Sequence, residues 1–389
     1  MSPSAPSPNT SRDRVARFAF WILAVFAPAH IYVGLRLVPD LPGGPIVMAL
    51  GGGYCVLSTV LIPFGTLARL YAPRRLVDPL VWAGTLAMGW FSSLFVLTLA
   101  RDLALLIPVT RAWTEQSALG VIGLSLLVTA VGFINARKVA RVVRISVPLM
   151  DIPPALEGFT IAQLSDIHVG STIKRGSVRR MVERTNGLVP DMVAITGDVV
   201  DGSVPHLLKE VAPLGDLHSR HGTFIVSGNH EYYSGADPWM KAFAGLGMHV
   251  LRNAHKTLDH DGATLVIAGV EDFSAGHHDP KWASDPVKAL EGAPENAPRI
   301  LLAHQPRSAE AASTAGADLQ LSGHTHGGQI WPWNYFVRMQ QPLTAGLHRW
   351  GRMWVYVSRG TGYWGPPKRI GAPSEITLIT LRKAYTKVR

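Results

Sequence analysis

A chain of 389 residues, 47% hydrophobic and only 16% charged, has room for more than one domain and a composition unusual for a wholly soluble protein. Its net charge of +10 does not call for a nucleic-acid partner, because much of the excess lies in arginine and lysine clusters beside apolar segments, where it suits anionic lipid head groups. The single cysteine, Cys55, rules out an intrachain disulfide framework.

The N-terminal MSPSAPSPNT and the residues up to 17 read as a disordered tail. Four intervals then carry no charged side chain: Arg17 to Arg36, Pro45 to Arg69, Asp78 to Arg101 and Glu115 to Arg137. A bilayer crossing takes about 20 apolar residues, so each interval predicts a transmembrane helix, and residues 18–136 form an all-α four-helix membrane region. The run Gly51-Gly52-Gly53 is a candidate for close helix packing. His30 reads as a packed side chain, and no charged residue inside a span marks an ion pathway, which leaves a transporter as a minor alternative.

Orientation follows from lysine and arginine, which are retained on the cytoplasmic side. Arg12, Arg14, Arg17, Arg69, Arg74, Arg75, Arg137, Lys138, Arg141 and Arg144 stand on one side, and Arg36, Arg101 and Arg111 on the other. Ten against three places both termini in the cytoplasm, as expected of a multi-pass protein of the inner (cytoplasmic) membrane. No secretory leader or twin-arginine signal is read at the start. Residues 137–158 read as a basic juxtamembrane linker and a first strand.

From about Met150 the composition becomes that of a soluble α/β domain. The apolar runs FTIAQL, DMVAIT, GTFIVS, TLVIAG, RILLAH, ADLQLS, MWVYVS and EITLIT read as largely buried strands. Five of them lead into chemistry-bearing residues: Asp166-Ile167-His168, Gly197-Asp198, Gly228-Asn229-His230-Glu231, His304 and Gly323-His324-Thr325-His326. The C-terminal edge of an α/β sheet is where loops converge and ligands bind, so residues scattered along the chain can meet there. One His-x-His alone is a polar turn as readily as a ligand pair; five such endings in order point to a metal or proton-transfer site.

These motifs, SDIH, GDVVD, GNHE, AHQP and GHTH, resemble those of the calcineurin-like metallophosphoesterases. The resemblance runs from about Phe159 to the C-terminus, and LSDIHVG and SGHTHGGQ are most similar to the bacterial membrane-associated phosphodiesterase branch. It implies a four-layer α/β/β/α sandwich over residues 159–389 and two divalent ions. Asp166, His168 and His326 would hold one, Asn229, His304 and His324 the other, with Asp198 bridging. The thiolate-free N/O set suits Mn, Fe or Zn without selecting among them. Two cations clamp the oxygens of an in-line displacement and make a bridging hydroxide the nucleophile. By the same resemblance His230 stabilises charge or protonates the leaving oxygen, with Asp201 orienting it. Glu231 has a supporting or structural role left open.

Protein Ser/Thr phosphatases of this superfamily carry arginine after the second and third motifs, where this chain has Gly202-Ser203 and Tyr232-Tyr233; a protein-phosphatase activity is therefore not expected. His277 and His278 read as a solvated loop or a substrate entrance, and the remaining histidines have no motif context. The stretch IWPWNYF, 330–336, either dips toward lipid or packs beneath the sheet, and Lys368-Arg369 are candidates to meet phosphate near the membrane. The expected function is that of a membrane-tethered binuclear phosphodiesterase acting on phosphodiester or lipid-linked phosphate substrates, with membrane lipids as partners and no obligate protein partner. The alternatives are a nucleotide-diphosphate-lipid pyrophosphatase, like the UDP-diacylglucosamine hydrolases, and an inactive metal-binding scaffold.

Overall fold

The computed structural model describes residues 8–384. They divide into two compact units, one of helices up to Ile134 and one beginning at Asn135. The first contains helices α1 (Pro8–Leu37), α2 (Gly44–Tyr71), α3 (Arg74–Ala104) and α4 (Thr114–Arg137). Each includes a segment long and apolar enough to cross a membrane. Their outward faces are apolar, with Leu35, Ile46, Leu50 and Val56 between 68% and 73% exposed, as lipid-facing helices require. The expected tail is shorter than 1–17. Helix α1 starts at Pro8, a favoured first helical residue, and no proline or glycine interrupts the chain from Asn9 to Ala27. The rest of that expected tail, residues 1–7, lies outside the described residues.

In the Gly51–Gly53 run only Gly51 is closely packed, a Cβ there lying 2.8 Å from Val38 Cγ2, and the backbone-to-backbone contact falls on other glycines. A Cβ on Gly65 would lie 2.7 Å from the Gly84 Cα, whereas Gly52 and Gly53 have nothing within 4 Å; α2 and α3 therefore meet backbone to backbone at Gly65 and Gly84. His30 is packed as expected, with Nε2 3.0 Å from Ser58 Oγ and its ring stacked on Phe91. Arg101 is buried. It donates to Arg36 O, Thr114 O and Ser117 Oγ and pairs with Asp40, fastening the ends of several helices.

The second unit has two six-stranded sheets. The strands are β1 (Arg141–Leu149), β2 (Thr160–Leu164), β3 (Met192–Thr196), β4 (Thr223–Val226), β5 (His249–Val250), β6 (Ala254–His260), β7 (Ala263–Gly269), β8 (Arg299–Leu302), β9 (Leu319–Ser322), β10 (Gly346–Trp350), β11 (Met353–Val357) and β12 (Glu375–Lys383). One sheet has the order β1-β12-β2-β3-β4-β5 and the other β10-β11-β9-β8-β7-β6. Strands β2 to β5 run parallel, as do β7, β8, β9 and β11. Such strands are covered on both faces, which is why they are continuous apolar runs. All of β3 and β4 is buried.

Between the sheets lies a core that includes Ile161, Ala194, Phe224, Ile267, Leu302 and Leu321. The outer face of the first sheet is covered by α5 (Arg175–Asn186) and by the helices Val204–Val211 and Ala236–Gly245. Helix α5 buries Val178, Met181, Val182 and Thr185, one stripe at helical spacing. The second sheet's outer face packs on Pro286–Leu290 and Ala309–Thr314. The result is the four-layer α/β/β/α arrangement. The segment expected as linker plus first strand belongs to this unit: β1 pairs along its whole length with β12, and Val147 and Leu149 enter the core between the sheets.

Candidate metal centre

The loops that follow β2, β3, β4, β8 and β9 leave the C-terminal ends of parallel strands and meet in one place. The loops after β2, β3 and β9 turn sharply as they leave their strands. Asp166, His168, Asp198, His324 and His326 all have left-handed φ, between 50° and 68°. Such a backbone costs a non-glycine residue about 1–3 kcal/mol and persists only where the surroundings impose it. Five instances in one cluster mark a constrained constellation. The motif glycines create the room. A Cβ on Gly323 would lie 1.9 Å from Ser165 Oγ and 2.2 Å from Asp166 Oδ2, and one on Gly228 would lie 2.2 Å from Asp198 Oδ1.

Asp166, His168 and His326 offer ligand atoms within 4.8 Å of one another, as do Asp198, His304 and His324. In the first group His326 Nε2 lies 3.1 Å from His168 Nε2 and 3.4 Å from Asp166 Oδ1. In the second, His304 Nε2 lies 3.1 Å from Asp198 Oδ2 and 3.3 Å from His324 Nδ1. Asp198 Oδ2 is also 3.9 Å from His168 Nε2, which puts this carboxylate between the groups. Asn229 Oδ1 is buried without a hydrogen-bond partner. A buried amide oxygen left unpaired is costly, and a cation at this spot would satisfy it. The donor set is therefore fit for divalent ions. Six of the seven residues singled out as ligands fall in these two groups, among them Asp166, Asp198 and His304, each 2% exposed or less.

Burial, then the neighbouring His304, lowers the His324 imidazole to about 4. Burial and His168 push His326 down as well. Neutral imidazole is the form that ligates a metal. His304 donates from Nδ1 to Thr196 O, 2.7 Å away, which fixes its ring.

His230 and Asp201 stand beside this cluster. Asp201 Oδ1 is 2.7 Å from His230 Nδ1 and 3.0 Å from His168 Nδ1, so one carboxylate orients both rings. Burial disfavours the cation on His230, but the Asp198 and Asp201 carboxylates outweigh it and hold the imidazole up, at about 9. Asp201 is itself held well below the usual carboxylate range, its burial outweighed by the two histidines.

The structure gives content to the supporting role left open for Glu231, and two features, the aromatic pair beside His230 and the Lys368-Arg369 dipeptide, were missed or misread in the sequence. Glu231, fully buried, accepts backbone N–H groups from Gly228, Asp198, Val199 and Val200 at 2.7–3.2 Å. Its place three residues after Gly228, at the start of the helix Asn229–Ser234, is the spacing of a capping box and was the available signal. Tyr233 and Trp364, 65% and 53% exposed, flank His230 with ring centroids 5.4 Å and 6.1 Å away. Lys368 and Arg369 are buried rather than turned to a lipid phosphate. Arg369 donates to Gly362 O and Ala372 O and lies 3.1 Å from His326 Nδ1, bracing the GHTH loop. His278 lies in an exposed turn, as the solvated-loop reading expected, with its ring stacked on Tyr232. In the aromatic stretch after GHTH, Trp331, Tyr335 and Phe336 are 56–58% exposed, which excludes packing beneath the sheet.

Residues 159–328 match the family model described as calcineurin-like phosphoesterase. An uncharacterized metallophosphoesterase of Campylobacter jejuni is 31% identical over 94% of this chain and 98% of its own length. The chain belongs to the calcineurin-like metallophosphoesterases. A protein of Danio rerio named as a transmembrane protein with metallophosphoesterase domain is 37% identical over 75% of this chain and 70% of that one. Among solved structures, the 5'-nucleotidase precursor of Thermus thermophilus is 16% identical over 57% of this chain and 54% of that chain, with a TM-score of 0.38. The family is one of phosphoric ester hydrolases that use divalent metals, and this member carries a clustered set of candidate ligands.

Proposed function

We propose that this protein is a membrane-tethered phosphodiesterase with a binuclear centre, acting on phosphodiesters and in particular on lipid-linked phosphate esters. The observation that carries the reading is the convergence of two ligand groups on Asp198, with His230 and Asp201 alongside. Asp166, His168 and His326 would hold one divalent ion and Asn229, His304 and His324 the other. When bound, such a pair activates water and neutralises charge on the transferring phosphoryl group.

The chain's own residues position and protonate. Asp201 fixes His230 through Nδ1, which leaves Nε2 as the ring nitrogen available to a bound ester. His230 is thereby placed to donate a proton to the leaving oxygen. Tyr233 and Trp364 form aromatic walls beside that leaving group. The lipid-linked substrate is supported by four bilayer-length helices in the same chain, since a freely diffusing ester has no need of a tether. The basic residues beside the spans favour a cytoplasmic catalytic unit in the inner membrane, which a reporter fused after Arg389 tests directly.

The deciding assay compares a chromogenic phosphodiester with its monoester, using the full chain stripped of metal and resupplied with manganese, beside Asp198→Asn and His230→Asn. Manganese-dependent diester cleavage lost in both variants is the expected result. No turnover of either ester by a protein that binds two ions would favour the inactive scaffold.

A further inference from the structure

Away from the ligand cluster, the second unit has a small surface cleft of about 20 Å³, open to solvent, whose polar lining is cationic. Arg137, Lys138 and Arg180 line it together with Ser177 and Tyr363, over a floor that includes Ile173 and Met181. No carboxylate contributes to the lining. Arg137 is held in place, donating to Thr172 O at 2.8 Å and to Tyr363 Oη at 3.3 Å, while Tyr363 Oη donates to Thr172 O at 3.2 Å. Arg180 Nη2 donates to Ser177 Oγ at 3.1 Å. Neither Lys138 nor Arg180 has a carboxylate within 4.0 Å among the described residues.

We propose that this cleft binds the phosphate of an anionic phospholipid head group. Three observations converge on that occupant. The first is charge: besides the lining cations, α5 carries Arg175, Arg179 and Arg184 against a single carboxylate, Glu183, a field that attracts anions. The second is shape, because hydroxyl and guanidinium donors stand over an apolar floor, as a phosphate joined to a glycerol and acyl chains requires. The third is place. Arg137 is the last residue of α4, a helix long and apolar enough to span a bilayer. Residues just beyond such a helix lie at head-group depth. The two sides of the cleft come from parts of the chain far apart in sequence, 136–139 and α5, so it is a formed pocket rather than a juxtamembrane charge run.

The site is distinct from the proposed catalytic centre, since none of the candidate ligands lines it. Tyr363 and Ile173 sit in the loops that also carry Trp364 and His168.

The test uses the full chain reconstituted in phosphatidylcholine nanodiscs with a minor fraction of phosphatidylglycerol, and native mass spectrometry of the retained lipid. Arg180→Glu is compared with Arg179→Glu, an equal charge change one residue away on the same helix and outside the lining. Phosphatidylglycerol is expected to be enriched on the wild-type chain and on Arg179→Glu, and its enrichment to fall about tenfold in Arg180→Glu, the scale of losing basic contacts at an anionic surface. Equal retention of the two lipids by the wild-type chain, or equal losses in both variants, overturns the proposal. Displacement of the lipid by millimolar inorganic phosphate would also overturn it, by assigning the site to a soluble anion. Unchanged thermal unfolding in both variants is required for the comparison and is expected for exposed arginines.

Discussion

Glu231 touches no bound group, yet its removal is expected to damage the centre more than any other single change outside the ligands. Its two oxygens divide four backbone donors between them: Oε2 takes Gly228 and Asp198, Oε1 takes Val199 and Val200. Burial and the neighbouring Asp198 push its carboxyl up to about 7, against these four N–H groups, which favour the charged form. A hydrogen bond to a charged acceptor contributes about 1.5–3 kcal/mol. Bonds sharing one side chain are not additive, and breaking a buried charged network typically costs about 3–5 kcal/mol. That range is the expectation for Glu231→Ala, which leaves all four donors buried and unpaired. Glu231→Gln keeps one acceptor oxygen and turns an amide donor toward the other pair of N–H groups, for an intermediate loss of about 2–3 kcal/mol. With about 2–4 °C per kcal/mol for a unit of this size, thermal unfolding of the full chain in detergent should fall by roughly 10 °C in the alanine variant and about half that in the glutamine variant. Turnover of a chromogenic diester should fall at least tenfold in the alanine variant, because the released backbone carries Asp198 and Asn229. A midpoint within about 2 °C of wild type for Glu231→Ala, with turnover preserved, would refute the reasoning.

Two further changes probe the second layer of the site and the helices. Asp201→Asn leaves His168 and His230 without their shared carboxylate. It should lower kcat by about 10–100-fold, the usual effect of losing a group that orients metal-site histidines, with KM little changed; a KM effect with kcat intact would contradict an orienting role. In the membrane region Gly65→Leu places a side chain where a Cβ would already lie 2.7 Å from Gly84 Cα and 2.8 Å from Leu80 O. Backbone cannot yield as a side chain does, so a loss of about 1–3 kcal/mol or more is expected. Gly53→Leu, with nothing within 4 Å, should unfold as wild type does, and equal effects of the two changes would sink the assignment of the close contact.

What could be read from the sequence follows from how each element is covered. β2, β3, β4, β8 and β9 lie between other layers, so they are uninterrupted apolar runs, and the ligands stand where each run stops. Strands at the sheet edges lack that signature. β6 (AHKTLDH) is mostly exposed, β5 has only two residues, and the expected runs included neither of them nor β10. Register is not local either: β1 pairs with β12, more than two hundred residues later, and nothing near Arg141 states it. The misread basic pair has the same cause. A Lys-Arg dipeptide is a surface feature by default, and Arg369 is buried only because folding brings Gly362 O and Ala372 O to its guanidinium.

The same physical distinction separates the ligands from the residues that serve them. A metal ligand has to be a particular residue type, so Asp-x-His and His-x-His are visible one residue at a time. Arg369 acts on backbone carbonyls, which every residue possesses, so no partner motif announces it, and Glu231 is signalled only by its capping-box spacing, which does not name the amides it holds. The centre is thus legible in its donors and only partly so in its supports. The basic cleft belongs to the hidden kind as well: Arg180 acquires its relation to Arg137 and Lys138 only when α5 packs on the first sheet through Val178, Met181 and Val182. The same packing that places Met181 on the cleft floor leaves Arg180, one residue earlier on the helix, to face whatever enters.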